Sequence, residues 1–235
     1  MRRTRSTTPA ASGAVRAAGG RLLETYASLA ERGEHLFGSL LGGQPPTQWA
    51  HYPEDDAIDP GSGFQWFYHS HSPQDRSSSA EHGHIHLFAR RKRWSRFLST
   101  RSESEAHFSR LEGGPLKRGN TRHLLAIGFD AKGLPTSLFT VNSWVTGDSM
   151  LSASSTAALL DQLALNTGHP NVDAVVQSVI RLYAGEIRGL LEERDRTLFS
   201  FAGGEVLADE SLEILSELSL DLDGKLAGEP AASSA

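Results

Sequence analysis

Hydrophobic residues in the N-terminal part of the chain recur at steps of three and four positions. The pattern extends from Leu22 to Leu41 and stops where Gly42, Gly43 and Pro45 follow. Such spacing is typical of an amphipathic helix, so we expect one over residues 16–41. The next stretch, residues 49–63, is rich in proline, glycine and acidic residues and is expected to be a loop.

The middle of the chain shows strand-like alternation of apolar and polar residues. A turn-like sequence from Asp130 to Gly133 separates the last two of these segments. The pattern predicts four strands, over residues 64–72, 82–90, 123–129 and 136–145.

Helical periodicity returns in the C-terminal third. It predicts helices over residues 156–166, 172–194 and 210–218. Strands grouped in the middle and helices at both ends indicate an α+β fold with a mainly antiparallel sheet of about four strands. We expect a single domain over residues 16–222, between a disordered leader at 1–15 and a disordered tail at 223–235.

Composition narrows the class of protein. With 235 residues and 38% hydrophobic residues, the chain can fill one substantial core. The absence of cysteine excludes disulfides, thiolate metal sites and a cysteine nucleophile. No apolar run approaches the roughly 20 residues of a membrane span, so a soluble cytoplasmic protein is expected. The arginine-rich start resembles an organelle transit peptide, but a bacterial leader fits it too and is preferred.

Charge is distributed unevenly. Residues 90–122 contain ten Lys/Arg and three acidic residues, a balance of +7, although the whole chain has a net charge of −5. This composition predicts a flexible, solvated insertion between two strands. Contact with nucleic acid or another polyanion through Arg90, Arg91, Lys92 and Arg93 is the less favoured alternative.

Histidines are concentrated in the first two predicted strands. Because successive side chains of a strand alternate between faces, Gln65, Phe67, His69 and His71 share one face. In the second strand His82, His84, His86 and Phe88 share a face. An antiparallel hairpin would pair His71 with His82, His69 with His84 and Phe67 with His86, so that several imidazoles reach one ion.

This cluster suits a divalent metal such as zinc, iron or manganese. Imidazole is a good ligand for these ions, and three histidines, or two with a carboxylate, leave coordination positions open. The predicted metal ligands are the five clustered histidines and the adjacent carboxylate: His69, His71, His82, His84, His86 and Glu81. We expect Gln65, Asn142 and Trp144 to contact a ligand and Glu54 to transfer protons.

Small residues of the second predicted hairpin are candidates for the space beside the same site. Ala126 and Gly128 lie on one face of its first strand, and Thr140 and Asn142 on one face of its second. If these faces continue the histidine face, they leave room for a ligand above the sheet. His123, at the start of the third predicted strand, is a further candidate ligand.

Three resemblances accompany the pattern. The sequence from His69 to Pro73, followed by Ser78 and Glu81, is similar to the zinc signature of the JAMM/MPN metallohydrolases. That resemblance implies zinc on His69, His71 and Glu81, with Glu54 as the base. The His-x-His arrangement also resembles the metal sites of cupins.

A broader resemblance covers about residues 20–220. Its motifs are His51-Tyr52-Pro53, residues 65–71, the run from Glu81 to Phe88 and residues 141–147. Together they resemble a bacterial family known only as a domain of unknown function, which implies no activity.

The sequence therefore predicts a histidine-rich metal site on a sheet face, serving a metal-dependent hydrolase or oxygenase that acts on a small polar substrate. The alternative is a non-enzymatic module that senses metal or pH, because clustered histidines repel one another when protonated near pH 6.5. In this alternative, residues 90–122 contact a polyanion.

Overall fold

A computed structural model describes residues 9–70, 81–98, 120–201 and 204–228. In chain order its elements are α1 (Pro9–Glu31), β1 (Tyr52–Ile58), β2 (Phe64–Ser70), β3 (Gly83–Arg90), α2 (Arg91–Leu98), β4 (Thr121–Phe129), β5 (Pro135–Val141), α3 (Ser143–Thr146), α4 (Ala153–Leu160), α5 (Pro170–Leu182), α6 (Ala184–Phe199), a 3₁₀ helix (Gly204–Ala208), β6 (Ile214–Ser219) and α7 (Leu222–Ala227).

The sheet is antiparallel throughout, and its strands lie in chain order from β1 to β6. The α+β class is thus confirmed, but the described sheet has six strands where four were expected. The two additional strands are its edges: β1 lies in the expected loop, and β6 lies where a helix was expected. Edge strands commonly carry charged residues, and the acidic sequence of β1 conceals its strand character.

One face of the sheet carries the main hydrophobic core. Trp66, Ile85, Leu87 and Ile127 point to this face and are fully buried. They pack with residues of α1, α5 and α6, and the Trp66 indole N–H donates to Asp173 of α5 at 2.9 Å. The helices thus cover the apolar face, and the alternate residues of β2 and β3 occupy the other face.

Several helices begin or end at residues other than those predicted from the hydrophobic periodicity. α1 ends at Glu31, and Gly33 follows with a φ of +64°, a conformation that ends helices. The single helix expected over residues 172–194 is two helices, α5 and α6, which meet at Tyr183. α1 begins inside the expected leader, and α7 begins at the last residue of the expected domain and extends into the expected tail. Residues 1–8 and 229–235 lie outside the described residues.

The basic segment begins with a helix, α2, rather than with irregular chain. Lys92 Nζ donates to the carbonyl of Pro60, and Arg93 donates to the Gln162 side chain at 3.1 Å. Arg91 is exposed and Arg90 is half-buried at the end of β3. Residues 99–119 lie outside the described residues.

Among the described helices, none is long and apolar enough to cross a bilayer.

Candidate metal centre

The register of β2 and β3 confirms the predicted pairing in the part that the structure describes. His69 is opposite His84, and Phe67 is opposite His86. On the other side of β3, Gly128 is opposite His84 and Ala126 is opposite His86. These pairs place histidine, aromatic and small side chains together on the face of the sheet opposite the main core.

Three imidazoles converge on this face. The Nε2 atoms of His69 and His84 are 2.6 Å apart, and those of His84 and His86 are 2.9 Å apart. His84 and His86 are buried, and His69 is 9% exposed. One ligand nitrogen from each ring lies within 4.8 Å of the other two, so the three histidines could hold one metal ion.

Glu81 orients the central ring. Its Oε1 atom is 2.7 Å from His84 Nδ1, and its side chain is only 2% exposed. A carboxylate at this nitrogen keeps the proton on Nδ1, so the Nε2 lone pair points toward the other rings. Glu81 therefore lies behind His84, where it supports a ligand, and is not beside the three Nε2 atoms.

Gly128 makes room for this carboxylate. A Cβ at position 128 would overlap both Glu81 Oε2 and Ser137 Oγ. The Ser137 hydroxyl also lies within hydrogen-bond distance of Glu81 Oε2, at 3.3 Å. The absence of a side chain at Gly128 is thus what allows Glu81 to reach His84.

A fourth histidine, His123, supports His86. Its Nε2 atom is 3.0 Å from His86 Nδ1. Burial, with a smaller contribution from the charge of Arg194, lowers the pKa of His123 to about 3, so His123 is neutral and its Nε2 atom can accept a hydrogen bond from the Nδ1–H of His86. If side chains alternated strictly along β4, His123 would lie on the face opposite that of Ala126. A bulge in the pairing of β3 with β4 instead places His123 opposite Phe88.

The remaining predicted site residues that the structure describes lie outside the cluster. His82 is exposed, and its Nδ1 atom is 3.4 Å from the hydroxyl of Tyr68, a residue of the core face. His71 lies outside the described residues. Glu54, the expected proton carrier, is exposed on the edge strand β1 and does not line the cavity described below.

Of the residues expected to contact a ligand, some face the site and others do not. Phe139 rather than Thr140 continues the histidine face, because it pairs with Ala126. Asn142 is fully buried away from the site, where it caps α3 and donates to the carbonyl of Val206 at 2.7 Å. Trp144 donates to the carbonyl of Leu212. Gln65 does face the site.

A cavity of about 380 Å³ opens beside the imidazoles. His69 and His86 form part of its wall, as do aromatic side chains, hydroxyls and two carboxylates. The lining residues are Trp49, His51, Asp56, Gln65, Phe67, His69, His86, Phe88, Thr121, Val145, Thr146 and Asp148. A small molecule in this space would meet the histidine cluster directly.

The carboxylates of the cavity differ in environment. Asp56 accepts hydrogen bonds from Gln65 at 2.6 Å and from His51 at 3.2 Å. Asp148 accepts one from the Thr121 hydroxyl at 2.7 Å. Burial raises the pKa of Asp148, and this effect outweighs the opposing influence of Thr121 and of the charge of Arg122.

Comparison with known proteins assigns a family. The chain matches the family described as Domain of unknown function (DUF6969) over residues 16–220 and belongs to it, as the motifs indicated. No curated protein and no solved structure matches the chain.

Proposed function

We propose that this protein holds one divalent metal ion, zinc in the first place, on His69, His84 and His86 and acts as a hydrolase of small polar molecules. The observation that carries the proposal is the convergence of three imidazoles: His84 Nε2 lies within hydrogen-bond distance of the Nε2 atoms of both His69 and His86, and one ligand nitrogen of each ring lies within 4.8 Å of the other two. The rest of the site supports this use of the three rings.

The hydrogen bonds behind the rings favour metal binding. Glu81 is positioned to accept a hydrogen bond from the Nδ1–H of His84, and His123 to accept one from the Nδ1–H of His86. In these tautomers both rings direct an Nε2 lone pair toward the same point. A single cation satisfies such lone pairs together, and second-shell acceptors of this kind are typical of metal-bound histidine.

The donor set favours hydrolysis over oxygenation. Non-haem iron oxygenases commonly bind the metal with two histidines and a carboxylate, whereas Glu81 contacts His84 on the side away from the converging nitrogens. Three neutral imidazoles leave the positive charge of the ion uncompensated, so a bound metal would supply Lewis-acid activation of water. The adjoining cavity gives a substrate room beside the open positions.

Metal analysis of protein purified without a histidine tag tests the proposal. We expect about one equivalent of zinc, iron or manganese in the wild-type protein and loss of that metal in His84→Ala and His86→Ala. His82→Ala is the matched control, because His82 lies on the same hairpin but is exposed and outside the cluster. Folded wild-type protein that takes up no metal on reconstitution would overturn the proposal.

Hydrolysis has its own readout. We expect the metal-loaded protein to cleave the activated ester p-nitrophenyl acetate, with a rate that follows metal content across the wild type, His82→Ala and His84→Ala. A rate that is the same with and without metal would reject the hydrolase assignment even if the metal binds. Metal-free protein would instead favour the non-enzymatic alternative.

A further inference from the structure

The cavity has a second polar region away from the three imidazoles. Gln65, Phe88 and His123 form one row across the sheet, two residues along β3 from His86. Asp56, on β1, accepts a hydrogen bond from Gln65 of this row, and Asp148 accepts one from Thr121, which lies two residues further along β4, opposite Arg90. Both carboxylates line the cavity.

Aromatic rings complete this end. The His51 ring stacks on Phe67, with centroids 3.7 Å apart, and Phe67 stacks on Phe88 at 5.5 Å. Trp49 lines the same cavity at its histidine end, where it meets His69 edge to face. Aromatic faces attract cations, and carboxylates accept hydrogen bonds from them, so the two kinds of group favour the same ligand.

Lysine and arginine do not compete for these carboxylates inside the cavity. None of the residues described as lining it is a lysine or arginine. The nearest guanidinium, that of Arg122, is fully buried and stacks on the Trp94 ring at 4.0 Å. Its charge acts on Asp148, so Asp56 is the carboxylate more available to a cationic ligand.

Backbone conformation also singles out this wall. In the part of the chain that the structure describes, Trp49 and Asp56 are the two residues other than glycine with a positive φ, at 65° and 56°. This conformation is costly for a large aromatic residue, and such strain concentrates at ligand sites. The strained positions are the ones that place an aromatic ring and a carboxylate on the cavity.

We propose that the cavity binds a small primary ammonium compound, with the ammonium group held by Asp56 against the aromatic wall. Two residues of strand separate this group from the His86 row, a distance of about 7 Å. A chain of about four carbons spans it, so a hydroxyl or carbonyl oxygen at the other end reaches the metal. Only this oxygen end rests on the proposed metal centre.

Three four-carbon probes that differ at one end test the ammonium subsite: 4-amino-1-butanol, butane-1,4-diol and 4-hydroxybutyrate. Each offers a hydroxyl, while the other end is cationic, neutral or anionic. In titrations followed by ligand-observed NMR, we expect the aminoalcohol to bind at least about tenfold more tightly than the diol, because it gains a charge-assisted hydrogen bond. The hydroxy acid is expected to bind no more tightly than the diol.

Asp56→Asn should remove most of this preference. Asparagine keeps the positive φ accessible and preserves the shape of the side chain, so the variant removes the charge alone. Asp55→Asn is the matched control, because the neighbouring Asp55 is exposed and does not line the cavity. Equal binding of aminoalcohol and diol by the wild type, or an unchanged preference in Asp56→Asn, would overturn the assignment.

The same titration in His84→Ala separates the two proposals. This variant lacks the central imidazole but retains Asp56 and Asp148, so the preference for the amine should persist while overall affinity falls. Wild-type protein that binds metal without preferring the amine rejects the ammonium subsite alone. Wild-type protein that prefers the amine without binding metal rejects the metal centre alone.

Discussion

Gly128 shows how one residue without a side chain determines the chemistry of its neighbours. It pairs with His84 across the sheet, and the space above it is filled by the carboxylate of Glu81. That carboxylate fixes the tautomer of the central imidazole and raises its basicity as a ligand. A side chain at this position would therefore act on the proposed metal site without replacing any of its three histidines.

Gly128→Ala is expected to weaken metal binding by about 10- to 100-fold, the usual effect of losing a second-shell partner. The new methyl group displaces Glu81 from His84, although all three imidazoles remain. Competition with a chromogenic chelator measures the affinity. Gly189→Ala, on the exposed face of α6 with open space around it, serves as the control and should bind metal as the wild type does. Equal affinities in both variants would contradict this role for Gly128.

Sequence alternation predicted three imidazoles of the site but not their supports. His69, His84 and His86 share a face because they lie in regular strand on both sides of one hairpin. His123 joins them only through a bulge, which alternation does not reveal. Asn142 lies after the end of β5, where a helix cap rather than strand alternation determines its direction.

Strands were predictable from the sequence where the residues of their two faces differ clearly. β2, β3, β4 and β5 combine fully buried apolar residues with a distinct opposite face, and their existence was foreseen. The edge strands β1 and β6 pair on one side only and contain more exposed residues, so their sequences resemble loop and helix. The cavity wall formed by β1 was consequently missed, and with it the position of Asp56.

The turn between β1 and β2 offers a test of pH dependence. Asp59 accepts backbone hydrogen bonds from Gly61, Ser62 and Asn166, which joins this turn to the loop before α5. Burial alone raises the pKa of Asp59, but these hydrogen bonds together outweigh it and lower the pKa below its ordinary value. The folded protein therefore favours the ionised carboxylate more than the unfolded chain does.

The stability that Asp59 contributes should be fully present above about pH 4, the ordinary pKa of aspartate, and should be lost as the pH falls through the lower folded value. Asp59→Asn removes this dependence. We expect the difference in unfolding free energy between wild type and Asp59→Asn to shrink between pH 6 and pH 2.5, measured by urea denaturation of chelator-treated protein. A difference that stays constant over this range would contradict the role of the hydrogen bonds.

At the scale of the whole molecule, the core and the candidate site lie on opposite faces of one sheet. Trp66, Ile85 and Leu87 pack against the helices, while His69, His84 and His86 lie on the opposite face of the same strands, where His69 and His86 line the cavity. Truncation of a histidine thus removes no group from the main core. Loss of metal binding in these variants can be separated from loss of the fold.

A bound metal should stabilise the whole domain, because both strands that carry its ligands are central to the sheet. At a free metal concentration about 100 times the Kd, binding adds about 2.7 kcal/mol to the free energy of unfolding. For a domain of this size that corresponds to a rise in Tm of about 5 to 11 °C. Calorimetry with zinc and with EDTA measures the shift, which His82→Ala should retain and His86→Ala should lose while still unfolding cooperatively. A wild-type Tm that is the same in zinc and in EDTA would show that the three imidazoles hold no ion that matters to the fold.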